Sequence, residues 1–198
     1  MSAIAADAKL ETLLRSVELR YNRAKTLQVL FQEDYTPPGK ARRTDRGILM
    51  LRKPMRMRWQ YSQPPGKLVV SDSKFLWVYT PNDNQVQQLK LQDSDDMRAP
   101  LAFLLGKLDF DKEFKNLQAR PEGADTRIVA EPKTDKMPYS EVQFLMTPDY
   151  RIREVRVTGF DNAVLNFTFD QERLEPALDP HLFQFVMPKG AALVEPGQ

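Results

Sequence analysis

Few residues of this chain are suited to acid–base, nucleophilic or metal chemistry. The 198-residue sequence has one histidine, His181, and no cysteine, which excludes disulfides and thiolate metal sites and leaves few routes to zinc or an activated serine. His181 follows Asp179 in a predicted loop, where we expect a cap or surface residue. An acidic loop contains Asp93, Asp95 and Asp96. It lacks the glycine and distal glutamate of a calcium loop, so we predict no metal, no cofactor and no enzymatic activity.

The most informative pattern is an alternation of apolar and polar residues in two short predicted strands. Successive side chains of a strand point to opposite faces, and every second residue here is a methionine or an aromatic. We therefore expect one sheet face to collect these side chains into an apolar wall: Met55, Met57, Trp59, Tyr61, Phe75, Trp77 and Tyr79. The arginines between them would keep the opposite face in contact with water.

Two interpretations of the apolar wall remain open. Its aromatic residues could fill an ordinary packed core, or some of them could line a cavity for an apolar ligand, because methionine and aromatic side chains adapt to a mobile ligand. Leu76 and Val78 are apolar as well, so we expect the strand from 75 to 80 to be covered on both faces. The sequence does not decide which face meets a ligand.

The pattern of elements predicts one helix followed by many short strands. Leu10, Leu13, Leu14, Val17 and Tyr21 recur at helical spacing, which predicts an amphipathic helix over residues 8–23. Strands separated by proline, glycine and asparagine turns follow. A second helix is predicted over 100–108, where it would serve as a lid through Leu101, Phe103, Leu104 and Leu105. The fold class is therefore mainly β (α+β): one unclosed antiparallel barrel or strongly curved sheet with an N-terminal helix and a short lid helix.

Composition limits the possible functions. The chain is 41% hydrophobic with a net charge of +2, a charge too small to argue for nucleic-acid binding. No apolar run approaches the roughly 20 residues that span a bilayer. We expect residues 1–198 to form a single domain in which 1–7 are a disordered remnant of a cleaved signal or an added start. A basic run is the solvated face of edge strands or a docking surface for a partner or a membrane: Lys40, Arg42, Arg43, Arg46, Arg52, Lys53, Arg56 and Arg58.

Two segments carry a resemblance to a known family. The segment RKPMRMRWQYSQPPGKLVVSDSKFLWVYTPNDNQV combines a basic residue and proline, an aromatic strand, a Leu-Val-Val-Ser-Asp strand and turn, and a Leu-Trp-x-Tyr strand. The tail LNFTFDQERLEPALDPHLFQFVMPKGAALV has the Phe-x-Phe, proline and Gly-x-x-Val ending of the same family. In order and spacing these motifs resemble LolA, the periplasmic lipoprotein carrier family.

The resemblance implies an unclosed barrel whose helices cover an apolar cavity. It implies a monomeric periplasmic protein, its signal peptide removed, that takes acylated lipoproteins from an inner-membrane exporter complex to an outer-membrane acceptor and touches membranes only transiently. Family members usually hold the lid with an arginine before the first proline. This chain has Lys53 there, beside Arg52. A lid latch or partner docking would fall to one of these two, and the alternative is that Lys53 is an ordinary solvated basic residue.

We therefore expect a carrier that works by reversible burial of acyl chains. One alternative is a binder of free lipids or glycolipids with the same fold. A second alternative is a protein-interaction module with a packed β core, which would bind a partner chain and no apolar probe.

Overall fold

The computed structural model describes residues 2–90, 108–134 and 137–194, with side chains from residue 8 onward. The predicted lid residues Leu101, Phe103, Leu104 and Leu105 lie outside the described residues, and so does the acidic loop with Asp93, Asp95 and Asp96.

One long helix and twelve strands account for most of the described chain. Helix α1 spans Ser2–Arg23, and a one-turn helix α2 spans Phe110–Glu113. The strands are β1 Thr26–Thr36, β2 Arg43–Arg52, β3 Arg56–Gln63, β4 Leu68–Asp72, β5 Phe75–Thr80, β6 Gln85–Lys90, β7 Phe114–Glu122, β8 Asp125–Pro132, β9 Tyr139–Met146, β10 Ile152–Gly159, β11 Val164–Leu174 and β12 Ala192–Val194. A 3-10 turn at Pro180–Phe183 follows β11. The sequence pattern did not predict α2 or β12, which are too short to show periodicity.

All twelve strands belong to one sheet. Their order is β12-β6-β5-β4-β3-β2-β1-β11-β10-β9-β8-β7. Every neighbouring pair is antiparallel except β12 and β6, which run parallel. In the part of the chain that the structure describes, β7 and β12 are the two edges. The large unclosed antiparallel sheet predicted from the sequence is confirmed.

Helix α1 packs against one face of this sheet, which we call the inner face. Leu14, Val17 and Tyr21 are buried and belong to the same core cluster as the inner-face strand residues. They recur every three or four residues, so they form one stripe along the helix. Arg20 and Arg23 lie in its last turn, where positive charge offsets the partial negative charge of the helix end. Sequence periodicity alone thus determines which side of α1 meets the sheet.

The pairing register divides the predicted apolar wall between the two faces of the sheet. Directly opposed residues share a face. Trp59 is opposite Val69, and Val69 is opposite Val78. Trp77 is instead opposite Val70, the neighbour of Val69, and therefore points the other way. Met55, Met57, Trp59 and Tyr61 pack in the inner core, whereas Phe75, Trp77 and Tyr79 lie on the outer face. The prediction of one shared face was wrong.

The outer face around β3 to β5 is covered by the C-terminal segment rather than by water. Trp77 stacks on Phe185 with ring centroids 5.0 Å apart, and Phe183 is buried in the same region. Arg58 donates from Nη1 to the carbonyl of Leu182 at 3.1 Å, and burial lowers the pKa of its guanidinium. Val70 is fully buried as well. This part of the sheet is therefore apolar on both sides, as Leu76 and Val78 indicated.

Candidate functional site

An aromatic cluster forms the centre of the inner face. Trp59 is only 1% exposed. Its ring contacts Phe31 edge-to-face at 4.8 Å between centroids and Phe167 at 5.4 Å. Tyr61 meets Phe31 at 5.1 Å, and the indole Nε1 of Trp59 lies 3.4 Å from the sulfur of Met57. Edge-to-face pairs of this kind add about 0.5–1.5 kcal/mol each beyond the area they bury.

A glycine makes room for this cluster. A Cβ added at Gly47 would lie 2.2 Å from the backbone oxygen of Gln60 and 2.9 Å from Cε1 of Phe31. Both distances are too short for a real carbon. The absence of a side chain at Gly47 therefore lets the Phe31 ring approach the backbone of β2 closely.

Buried carboxylates close one end of the aromatic cluster. The hydroxyl of Tyr61 donates to Oε2 of Glu33 at 2.6 Å. Lys67 Nζ lies 2.6 Å from Oδ2 of Asp45, and 4.0 Å above the centre of the Tyr61 ring. Glu33 and Asp45 are opposite each other in β1 and β2. Such charges are tolerated inside a protein when they are paired, so this end of the inner face is polar but satisfied.

Helix α1 covers the other end of the inner face, and the described residues around Tyr21 leave only a small pocket beneath it. The pocket between helix and sheet has a volume of about 10 Å³, which is close to the space one water needs. Its lining is largely apolar: Tyr21, Leu27, Val29, Leu49, Ile152, Phe169 and Glu172. This pocket can therefore take a long ligand only if the helix or the side chains around it move.

A hydrogen-bonded group that we call the clasp holds the end of α1 on the sheet. The hydroxyl of Tyr21 donates to Oε2 of Glu172 at 2.6 Å and accepts the Ile152 N–H at 2.9 Å. Arg20 Nη2 pairs with Oε1 of the same carboxylate at 2.6 Å. Burial, followed by the negative charge of Glu172, raises the pKa of Tyr21. The phenol therefore keeps its proton at neutral pH and remains a hydrogen-bond donor.

Helix α1 also forms hydrogen bonds with the chain at residues 108–110. The side chain of Asn22 donates to the carbonyl of Leu108 at 2.7 Å and accepts its N–H at 2.6 Å. Glu18 accepts the N–H of Phe110 at 2.8 Å. A pocket of about 530 Å³ lies along this junction, between α1 and residues 108–117. Motion of α1 would therefore disturb the segment that follows the predicted lid.

Lys53 contacts helix α1 directly. Its Nζ donates to the carbonyl of Tyr21 at 2.7 Å, in the last turn of the helix, where a cation stabilises the unpaired carbonyls. Burial lowers the pKa of Lys53, partly offset by the negative charge of Glu175. Arg52 reaches the carbonyl of Leu178 at 3.3 Å instead. Because the lid residues lie outside the described part, the latch role of these two residues stays a prediction.

The outer-face aromatics have polar anchors of their own. Trp77 Nε1 donates to Oδ2 of Asp72 at 3.2 Å, and Tyr79 donates to Oδ1 of Asn84 at 3.1 Å. Partial burial by itself raises the pKa of Asp72. The N–H groups of Phe75 and Lys74, with the Trp77 indole, outweigh it and hold the pKa below its ordinary value. Phe75 and Trp77 therefore fasten the β4–β5 turn, and Tyr79 fastens the β5–β6 turn.

The site residues predicted from the sequence did not include several residues of the inner face. Phe31, Phe167 and Glu172 complete the cluster and the clasp, although two of them had a visible signal. Phe31 alternates with Leu27 and Val29, and Phe167 alternates with Phe169, as strand residues of one face do. Glu172 had no signal, because an acidic residue near a strand end is typical of a solvent-exposed position.

Within the described ranges, no group of three or more histidine, cysteine or acidic side chains could hold a metal ion. His181 lies in the 3-10 turn, where its backbone N–H donates a hydrogen bond to Oδ1 of Asp179 at 2.9 Å. Its ring nitrogen Nδ1 lies 3.3 Å from Oε1 of Gln184. The same ranges contain no helix with the length and apolar character needed to cross a membrane.

Comparison with known proteins places this architecture in a family. Residues 22–186 match the family model described as outer membrane lipoprotein carrier protein LolA. The outer-membrane lipoprotein carrier protein of Chromobacterium violaceum is 30% identical over 171 residues, covering 86% of this chain and 82% of that protein. The Nitrosomonas europaea protein of the same name is 26% identical over 182 residues, covering 91% and 88%.

The fold is also similar to that of solved structures. An uncharacterized conserved protein from Thermus thermophilus superimposes with a TM-score of 0.54 at 14% identity, over 94% of this chain and 99% of that one. At that identity the likeness concerns the fold alone. The match over residues 22–186 and the curated relatives decide the assignment: this chain belongs to the LolA family of outer membrane lipoprotein carrier proteins.

Proposed function

We propose that this chain is a periplasmic carrier that buries the acyl chains of lipoproteins against its inner face and takes them from the inner to the outer membrane. The observation that supports this most directly is the construction of that face. Residues 1–198 would act as one domain in which helix α1 covers an apolar cluster, as the described residues show. That helix is held in place by a few identifiable hydrogen bonds.

The ligand-lining residues in this proposal are the inner-face members of the apolar wall. Met55, Met57, Trp59 and Tyr61 belong to or pack against the core cluster. Methionine is the most adaptable apolar side chain and fills irregular gaps. Acyl chains would replace the contacts that Leu14 and Val17 of α1 now make. Phe75, Trp77 and Tyr79 would then support β5 and its two flanking turns from outside without touching the ligand.

Magnitudes favour displacement of the helix by a lipid. Burial of a methylene contributes about 0.8 kcal/mol, so one sixteen-carbon chain gains on the order of 12 kcal/mol on leaving water. The Tyr21, Arg20 and Lys53 contacts total five hydrogen bonds. At a net value of about 1 kcal/mol each, they contribute roughly 5 kcal/mol to holding α1. The burial of one acyl chain would exceed this contribution, and the apolar surface that Leu14 and Val17 lose would be covered in part by the chain itself.

Loading and release require partners, which we propose to be an inner-membrane exporter complex and an outer-membrane acceptor. Lys40, Arg42, Arg43 and Arg46 are exposed around the β1–β2 connection. A cluster of one charge sign accelerates encounter with an oppositely charged surface. The basic run would therefore steer transient docking, and the carrier would remain monomeric between encounters.

Intact-complex mass spectrometry tests the proposal. The protein would be exported to a Gram-negative periplasm and purified without detergent. We expect a one-to-one adduct with an acylated lipoprotein. A Trp77→Ala variant, altered only on the outer face, should carry the same adduct. Adducts of free lipid alone would favour the lipid-binder alternative. A bare mass accompanied by a copurifying partner chain would favour the interaction module.

A further inference from the structure

Strands β10 and β11 separate at one end. They are paired from Thr158–Val164 as far as Glu154–Thr168. Strand β10 extends beyond this pair to Ile152, and β11 extends beside β1 to Leu174. Between Ile152 and the end of β11 the described sheet therefore has a seam without ladder hydrogen bonds.

Both strands are irregular beside this seam. The register of β10 against β9 shifts between Ile152 and Glu154, and that of β1 against β11 shifts between Gln28 and Leu30. Gln171 has a φ of +52°, which is uncommon for a residue with a side chain. An extra residue in a strand re-aims the side chain that follows it. Here that side chain is Glu172, whose carboxylate reaches Tyr21 of the helix.

The hydroxyl of Tyr21 bridges the seam. It accepts the N–H of Ile152 from β10 and donates to the carboxylate of Glu172 on β11. One side chain of α1 thus takes the place of a missing ladder bond. When the helix moves, this bridge breaks and the two strand ends are no longer connected at this point.

A surface pocket and the apolar interior meet at the seam. The pocket outside has a volume of about 410 Å³, and the pocket inside, beneath α1, has about 10 Å³. Ile152, Phe169 and Glu172 line both. These three side chains therefore lie between the surface pocket and the small pocket beneath α1.

The surface pocket suits an uncharged polar group rich in hydrogen-bond acceptors. Arg151 and Arg153 line it with side chains 44% and 50% exposed. Each is paired with one carboxylate, Asp149 or Asp125, and a guanidinium has five N–H donors, so donors remain. Asp170 and Glu172 also line the pocket, so the pocket has no excess of positive charge to attract an anion. Ester and amide carbonyls fit this setting better than a phosphate does.

We infer that the seam between β10 and β11 is the portal through which acyl chains enter. The chains pass between Ile152 and Phe169 after Tyr21 withdraws with α1. The ester and amide carbonyls that join the chains to the lipidated end of the cargo rest in the surface pocket against Arg151 and Arg153. This inference rests on the proposed function and assigns a route and a head-group site to it.

Site-directed photo-crosslinking tests the portal. The chain has no cysteine, so a single introduced cysteine carries a benzophenone maleimide at one known position. Asp170→Cys places the probe in the surface pocket, and Arg156→Cys places it at another exposed position further along β10. The ligand is a synthetic tripalmitoylated cysteinyl peptide, with loading measured by intact mass. We expect both variants to load and only the Asp170→Cys probe to crosslink.

The outcomes separate the portal from the carrier function. Loading without a crosslink at position 170, or with equal crosslinking at both positions, would overturn the portal and leave the carrier function standing. Failure of both variants and of the unsubstituted chain to load would overturn the carrier function and the portal with it.

A kinetic experiment tests the role of the bridge. Tyr21→Phe removes the hydroxyl and keeps the ring, and Tyr79→Phe removes the matched hydroxyl on the outer face. Loss of the bridging bonds should speed lipopeptide loading about tenfold in Tyr21→Phe and leave Tyr79→Phe at the original rate. Equal loading rates in all three proteins would show that Tyr21 does not gate the seam.

Discussion

Replacing the two tryptophans separately tests the division of the apolar wall between the faces. Trp59 is 1% exposed and has aromatic neighbours on two sides. Removing a fully buried tryptophan costs about 3–5 kcal/mol, so Trp59→Ala should lower the free energy of unfolding by that amount. Trp77 is only partly buried, and its principal aromatic contact is the stack on Phe185. Trp77→Ala should therefore cost about 1–2 kcal/mol.

Urea denaturation followed by far-ultraviolet circular dichroism measures both costs. Circular dichroism is preferable to fluorescence because the chain has only two tryptophans and each variant removes one. The dependence of the unfolding free energy on urea should stay the same in both variants, so that the midpoints compare stabilities. Equal costs, or a larger cost for Trp77→Ala, would refute the assignment of Trp59 to the main core.

The same pair of positions reports on the ligand. Trp77→Phe leaves Trp59 as the single tryptophan, and Trp59→Phe leaves Trp77. A lipopeptide with brominated acyl chains should quench Trp59 because bromine quenches indole on contact. It should leave Trp77 unchanged. Quenching of Trp77 alone would move the ligand to the outer face and contradict the proposed lining.

Three further changes have defined outcomes. Gly47→Ala puts a carbon 2.2 Å from a backbone oxygen and should lower the free energy of unfolding, measured by urea denaturation, by at least about 1–3 kcal/mol. The control Gly123→Ala has open space around the added carbon but a φ of +62°. It should lower the free energy of unfolding by only about 1 kcal/mol. Asp72→Asn should be less stable than the unsubstituted chain at pH 7. The folded-state pKa of Asp72 is depressed, so its contribution is present above its ordinary value of 3.8 and is lost as the pH falls below it. Thermal unfolding at pH 7 and pH 2.5 should show that difference shrinking. Lys53→Met removes the cation at the carbonyl of Tyr21 and should speed amide hydrogen exchange in the last turn of α1 by about fivefold, the effect of roughly 1 kcal/mol; unchanged exchange there would exclude Lys53 as a support of the helix.

Local patterns were sufficient for the elements of the fold. The helix over 8–23 and its buried stripe follow from the spacing of Leu14, Val17 and Tyr21, because one face of a helix repeats every 3.6 residues. The strand alternation at 55–61 likewise placed Trp59 and Tyr61 together. These features depend on residues close in the chain, so the sequence contains the whole signal.

The pairing register between strands could not be predicted from local patterns. A shift of one residue exchanges the two faces of a strand, and nothing between Tyr61 and Phe75 marks the register. Strand β5 is apolar at Leu76 and Val78 as well as at Trp77, so both of its faces looked suitable for the interior. The C-terminal segment, over a hundred residues away in sequence, covers one of them through Phe185.

The sequence by itself determined the family, the predominance of strands and the amphipathic helix, since motif order and periodicity are local properties. The tertiary structure decided which aromatics face inward and that Lys53 supports α1. It also decided that Glu172 turns toward Tyr21 at a seam in the sheet. Each of these depends on pairing, bulges and packing between residues distant in the chain. Their free energies depend on a geometry that exists only after the sheet has formed.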